Sequence, residues 1–119
     1  MTDALTALAD TLEAEGFRRR ESPPDRENFG NRVIDFKDGR MRVRLTLDRS
    51  MWSVEVNDYE PDVWRAALEG TDATEPNPVD AQAEWVTANV DTLRRAVRDR
   101  ATRRRVDEIA EARARHWFG

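Results

Sequence analysis

The sequence predicts an α+β fold: a three- to four-stranded antiparallel meander packed by helices on one face, with a long C-terminal helical segment. Three observations carry that prediction. Apolar residues recur at helical spacing near the start, alternate along the strands of residues 32–56, and return to helical spacing after residue 77. At 119 residues the chain suits one domain, 1–119, long enough to bury roughly 65% of its unfolded surface. Residues 1–70 form a helix–meander–helix unit and residues 77–119 the C-terminal helices.

The first element is "TDALTALADTLEAEGF". Leu5, Leu8 and Leu12, with Ala4 and Ala9, make one apolar face. Thr2 or Asp3 caps its start, and Gly16 stands where a glycine ends a helix. "FRRRES" is extended and suits a sheet edge, and "SPPDRENFGN" is a loop stiffened by Pro23 and Pro24.

Residues 31–58 read as three strands joined by two tight turns. Asp38-Gly39 is a favoured pair for a two-residue type I′ turn. That placement sets Phe36 opposite Met41, Ile34 opposite Val43, and Asp35 opposite Arg42. A second turn at Arg49-Ser50 sets Leu47 opposite Trp52, Leu45 opposite Val54, Val43 opposite Val56, and Arg44 opposite Glu55. Both hairpins then carry apolar residues on one face and opposite charges on the other, an agreement that a one-residue slip destroys.

Next, "EPDVWRAALEG" is a short helix with Pro61 in its first turn, Val63, Trp64, Ala67 and Leu68 inward, and Gly70 at its end. After the linker "TDATEPNP", Asn77 caps a further helix with Pro78 at its first position. Ala83, Val86, Val90, Leu93 and Val97 form its buried stripe. Beyond Val97 the phase changes. At about 100° per residue, Val106, Ile109, Ala110 and Trp117 fall on nearly the opposite side. No glycine or proline marks a turn there, so the sequence predicts a bent or continuous helix whose last part reaches a different surface, such as that of a second copy.

Composition narrows the function. With 39% hydrophobic and 37% charged residues, the chain is a soluble globular protein with a modest core. No apolar run is long enough for a membrane span. Met1 is followed by Thr2 and Asp3 rather than by a basic start and an apolar stretch, so the expectation is a cytoplasmic protein without a signal peptide. There is no cysteine, hence no disulfide framework and no thiolate nucleophile. Charge is uneven: residues 1–90 carry 11 basic against 19 acidic side chains, net −8, and residues 91–119 carry 9 against 5, net +4. A basic end can serve nucleic acid. Yet Lys37 is the only lysine, so arginine is the default cation throughout.

The candidate chemistry follows. On a helix, Asp91, Arg94, Arg95, Arg98, Thr102 and Arg105 share a broad face able to track phosphates. The structural alternative pairs Asp91 with Arg95, Asp99 with Arg103, Arg104 with Glu108, and Glu111 with Arg115, each worth ~0.2–0.5 kcal/mol. That leaves Arg94, Arg98, Arg100 and Arg105 as the nucleic-acid candidates. On the sheet's outer face, Asp35, Arg42, Arg44 and Glu55 suit an anion site less well than a cross-strand ladder, whose pairs contribute at most about 1 kcal/mol each. His116 is the only histidine, too few for a His-rich metal site. Asp25 and Glu27 lack the spacing of a calcium loop, and Gly30 and Gly39 are isolated turn residues. No catalytic, metal-binding or cofactor-binding residues are assigned. Trp52 and Trp64 fit the core. Trp85, Trp117 and Phe118 are the candidates for contact with a partner protein or a second copy, against the plainer possibility that they fold onto their own domain.

Through "GFRRRES", "NFGNRVIDF" with Phe29, Gly30 and Asn31 at the turn, and "PDVWRAALEG", residues 1–70 resemble small uncharacterised bacterial proteins built from an N-terminal helix, a Phe-Gly-Asn turn and an antiparallel meander. That resemblance implies the fold and carries no activity. In size, acidity and α+β build the chain also resembles immunity proteins that neutralise bacterial toxins, an analogy of form. The expected function is therefore a non-enzymatic cytoplasmic protein-binding module of immunity or regulatory type. Its partner is another protein or a second copy. Nucleic-acid binding through the Arg-rich helix is the alternative, and no membrane is involved.

Overall fold

A computed structural model describes residues 1–22, 31–69 and 79–99, together with Arg104, residues 107–109, Glu111, Ala112 and Arg115. The architecture is α+β with an antiparallel meander, as the sequence predicts: helix α1 (Asp3–Ala14), strands β1 (Arg18–Glu21), β2 (Arg32–Asp38), β3 (Met41–Asp48) and β4 (Met51–Val56), then helices α2 (Pro61–Glu69), α3 (Val79–Ala88) and α4 (Val90–Arg98). The strands lie in chain order, β1-β2-β3-β4.

Both ends of α1 are satisfied locally. Thr2 Oγ1 accepts from the Leu5 N–H at 3.3 Å, and Asp3 lies in the positive first turn. At the other end Gly16 adopts φ +91°. The Phe17 N–H donates to Leu12 O at 2.9 Å and the Gly16 N–H to Glu13 O at 3.0 Å, which is a Schellman closure. Phe17 and Leu12 are both buried, supplying the apolar contact that accompanies this motif, and the chain then turns directly into β1.

The second hairpin has the expected register, with Leu47↔Trp52, Leu45↔Val54, Arg44↔Glu55 and Val43↔Val56. Its turn holds Arg49 at φ 51° and Ser50 at φ 66°, the positive values a type I′ turn requires of both central residues. The first hairpin differs from expectation by two residues. Gly39 and Arg40 form its turn, with Gly39 alone at positive φ, +58°. Phe36 therefore faces Val43, Ile34 faces Leu45, and Asp35 faces Arg44 rather than Arg42. A shift of two keeps every side chain on its face. The observed register also keeps Arg32 out of the core's middle: it faces Leu47, whereas the Asp38-Gly39 turn would have set it against Leu45. At its observed place Arg32 lies over the Trp52 ring, 5.8 Å from the centroid, and its Nε donates to Glu21 at 2.9 Å.

The inner face of the sheet joins α1, α3, α4 and Trp64 in one core that includes Phe36, Ile34, Leu45 and Leu93, all buried. Trp64 Nε1 donates to Val56 O at 2.6 Å, and Tyr59 meets the Trp64 ring edge-on at 5.8 Å. The α3–α4 stripe is as expected: Ala83, Val86, Val90, Leu93 and Val97 are buried. Of the inward positions foreseen for α2, Trp64 is buried and Val63 half-buried. The side chains of Ala67 and Leu68 lie outside the described residues, as do Gly70, Asn77 and Pro78.

The long helix is not continuous. It breaks first at Asn89, whose Nδ2 donates to Trp85 O at 2.8 Å and whose N–H donates to Val86 O at 3.1 Å. The amide side chain thus competes with the helix for its own carbonyls. It ends at Arg98, because Asp99 is extended at φ −87°, ψ 115°. Beyond it the described residues are helical, and Ile109 packs against this chain's own core. Tyr59 Oη donates to Asp107 there. Among the described residues no helix is long and apolar enough to cross a membrane.

Two expectations follow. Replacing Arg49-Ser50 by Asn-Gly relieves two left-handed residues and raises the urea-unfolding free energy by about 1 kcal/mol; unchanged stability would argue against this turn type. At the β1 edge, hydrogen bonds from Arg32 hold the Glu21 carboxyl below its usual value of 4.5, against the opposing effect of burial and with help from Arg19. A folded value below the unfolded one stabilises above pH 4.5 and is lost as pH falls through the lowered value. Glu21→Gln is therefore less stable than the parent near neutrality, and the two unfolding curves converge on acidification.

Candidate functional site

The helices of the core lie on one side of the sheet, and the other side carries charges in cross-strand rows. Nearest the β2–β3 turn, Arg18, Lys37 and Arg42 stand directly opposite one another on β1, β2 and β3. The next row alternates in sign: Arg20, Asp35, Arg44 and Glu55. The third is small and neutral, Val33, Thr46 and Ser53. Opposite charges across strands stabilise a sheet and like charges in register oppose it, so the first row is the anomaly.

In the alternating row the two middle charges pair with each other. Arg44 grips Asp35 as a fork, Nε to Oδ1 at 2.8 Å and Nη2 to Oδ2 at 3.1 Å. These bonds raise the guanidinium's proton affinity above its ordinary value, against the effect of burial, with charge contributions from Asp35 and Glu55. This is the ladder the sequence suggests, moved by the corrected register. The same shift takes Arg42 away from Asp35 and sets it beside Lys37. Arg42 turns instead to Asp58, with which it makes an ion pair. Its N–H donates to Asn57 Oδ1 at 2.6 Å. Asn57 and Asp58 both hold positive φ, 48° and 71°, so a left-handed turn delivers the Asp58 carboxylate to Arg42.

Around the end of the sheet, Arg94 of α4 ties three elements together. Its Nη1 lies 3.0 Å from Glu15 Oε2, and its Nη2 donates to the Glu15 carbonyl at the C-terminal end of α1. Nε is 3.0 Å from Asp38 Oδ2, yet its N–H is not aligned for a hydrogen bond there. Asp91 stands 3.7 Å from Nη1, and the guanidinium carbon sits 4.8 Å from the Phe17 ring centroid. With 17% of its side chain exposed, Arg94 has partners within the fold that the sequence did not show.

Charge at this end is therefore lopsided. Open depressions of about 460, 220 and 260 Å³ follow one another around it, lined in turn by Arg95 and Arg98, by Arg98 and Arg40, and by Arg40, Lys37 and Arg42. The carboxylates lining them, Glu15, Asp38, Asp91 and Asp58, each face Arg94 or Arg42. Among the described residues, Arg18, Lys37, Arg40, Arg95 and Arg98 enter no ion pair.

Of the nucleic-acid candidates, Arg94 and Arg98 thus meet at one end of the sheet, and Arg98 is exposed. Arg100 and Arg105 lie outside the described residues, as do Trp117 and Phe118. Trp85 is half-buried and packs against its own core. Asp91 pairs with Arg94 instead of Arg95, and no ion pair joins Arg104 to Glu108 or Glu111 to Arg115. Arg18, Lys37 and Arg40 were not among the sequence candidates; the signal for them was Gly39 read as the first residue of a Gly-X turn. Among the described residues no three His, Asp or Glu side chains gather as a metal site. No protein-family model, curated protein or solved structure matches the chain.

Removing the Arg94 charge leaves Glu15, Asp38 and Asp91 as a cluster of unpaired acids. Arg94→Met should lower the urea-unfolding free energy by about 1–2 kcal/mol, a range discounted for the partners' exposure. A variant as stable as the parent would show that the cation is dispensable.

Proposed function

We propose that this chain is a non-enzymatic protein-binding module of the bacterial cytoplasm, of immunity or regulatory type, which docks its partner on the open sheet face. The supporting observation is the face itself. It is a polar, four-strand surface whose central row has its middle charges, Asp35 and Arg44, already paired, bordered at one end by cations that exceed their carboxylates. Such a surface gives register and steering to a protein contact. Among the described residues it offers no enclosed apolar pocket of the kind that holds a small substrate, and those around it assemble no nucleophile with a base.

Nucleic-acid binding is the second reading, favoured by the exposed arginines at the end of α4. The two separate by crosslinking. With a photoreactive residue at Thr46, in the middle of the open face, irradiation of living cells should yield a protein adduct of discrete mass. The same residue at Glu84, exposed on α3, should yield none. A nucleic-acid adduct at Thr46, or no adduct at either position, overturns the protein-docking reading.

A further inference from the structure

We infer that the cationic end of the sheet recognises an acidic, carboxylate-bearing segment of the partner protein, a reading that rests on the protein-docking function above. Cross-strand neighbours stand about 5 Å apart, so Arg18, Lys37 and Arg42 form a short rail of three positive charges. Arg40 and Arg98 continue it around the turn, where each borders two adjoining depressions. The carboxylates lining those depressions are engaged by Arg94 or Arg42. The local charge is therefore positive on a protein whose net charge is −4.

The fold contains one instance of the recognition already. Asp58, held in a left-handed turn, places its carboxylate on Arg42 while its own side chain stays 76% exposed. It occupies the position a partner carboxylate would take, and it can be displaced into water. Arginine forks match carboxylate geometry, which gives such a contact orientation as well as charge.

The same observations disfavour a nucleic acid as occupant. Among the described residues, the large hydrophobic side chains that stand exposed are Met1 and Met51, so no described aromatic at this end offers an exposed stacking platform for bases. A long polyanion also meets a protein whose net charge is −4. A short acidic segment escapes that repulsion.

The test uses the full chain and a fluorescent oligoglutamate peptide, with an oligothymidylate of matched charge as competitor probe. The peptide should bind saturably and weaken steeply as salt rises from about 50 to about 300 mM. Lys37→Glu with Arg40→Glu should weaken it at least about tenfold, whereas Arg49→Glu, on an exposed residue in the β3–β4 turn at the opposite end of the sheet, should leave it unchanged. Asp58→Asn, which vacates Arg42, should tighten binding, and Asp80→Asn, an equal charge change on α3, should not. Circular dichroism checks that each variant is folded. Absence of saturable binding, equal losses in the control variants, or tighter binding of the oligothymidylate overturns the inference. If oligoglutamate fails while the Thr46 crosslinker still traps a protein, the acidic-segment inference falls alone; if both fail, the docking function falls with it.

Discussion

The Arg94 guanidinium is the contact on which the rest of the arrangement depends. It joins the end of α1 to α4 across 79 residues of chain and adds Asp38 at the tip of the first hairpin. Ion pairs with half-exposed carboxylates are individually weak. Here, however, the cation is largely out of water, rests on the Phe17 ring and serves three acids at once. Exchanging it for a neutral side chain removes one attraction and leaves several like charges facing one another. The same contact sets the surface charge. By engaging Glu15, Asp38 and Asp91, it leaves Arg95, Arg98 and Arg40 without counter-ions, so the strength of the fold at this corner and its positive potential share one origin.

The two sides of the sheet answer to different rules. Burial fixes the inner side, where any polar intrusion costs desolvation, and it drives Arg32 to the open end beside Glu21 and Trp52. Nothing comparable fixes the outer side, and a row of three like charges persists there. At β1 the charged run from Arg18 to Glu21, exposed throughout, has a further use: it blunts an edge that would otherwise invite pairing with another chain.

Much of this was legible in the sequence because it is local. The cap at Thr2, the stop at Gly16 and the second hairpin follow from neighbours a few residues apart, and the alternation of Ile34, Phe36, Val43 and Leu45 fixes their face. The register of the first hairpin was not legible from its turn pair. Asp38-Gly39 satisfies one turn type and Gly39-Arg40 another, and the choice between them rests on where Arg32 can sit, a tertiary matter. The main partners of Arg94 were not legible for the same reason, since Glu15 and Asp38 lie far away in the chain. The break at Asn89 has a local signal, an amide side chain able to compete for carbonyls, although the apolar stripe runs through it undisturbed.

The packing of α1 against α3 bears on the order in which the chain is made. The meander is complete at Val56, but α4, which also covers it, ends at Arg98, 42 residues later. At bacterial synthesis speeds that gap lasts on the order of 2–8 s. Until α2, α3 and α4 follow in turn, the growing polypeptide carries a finished sheet whose apolar side has only α1 to shelter it. The charged β1 edge is then the chief guard against sticking to another nascent copy, so its arginines matter most before the molecule is whole.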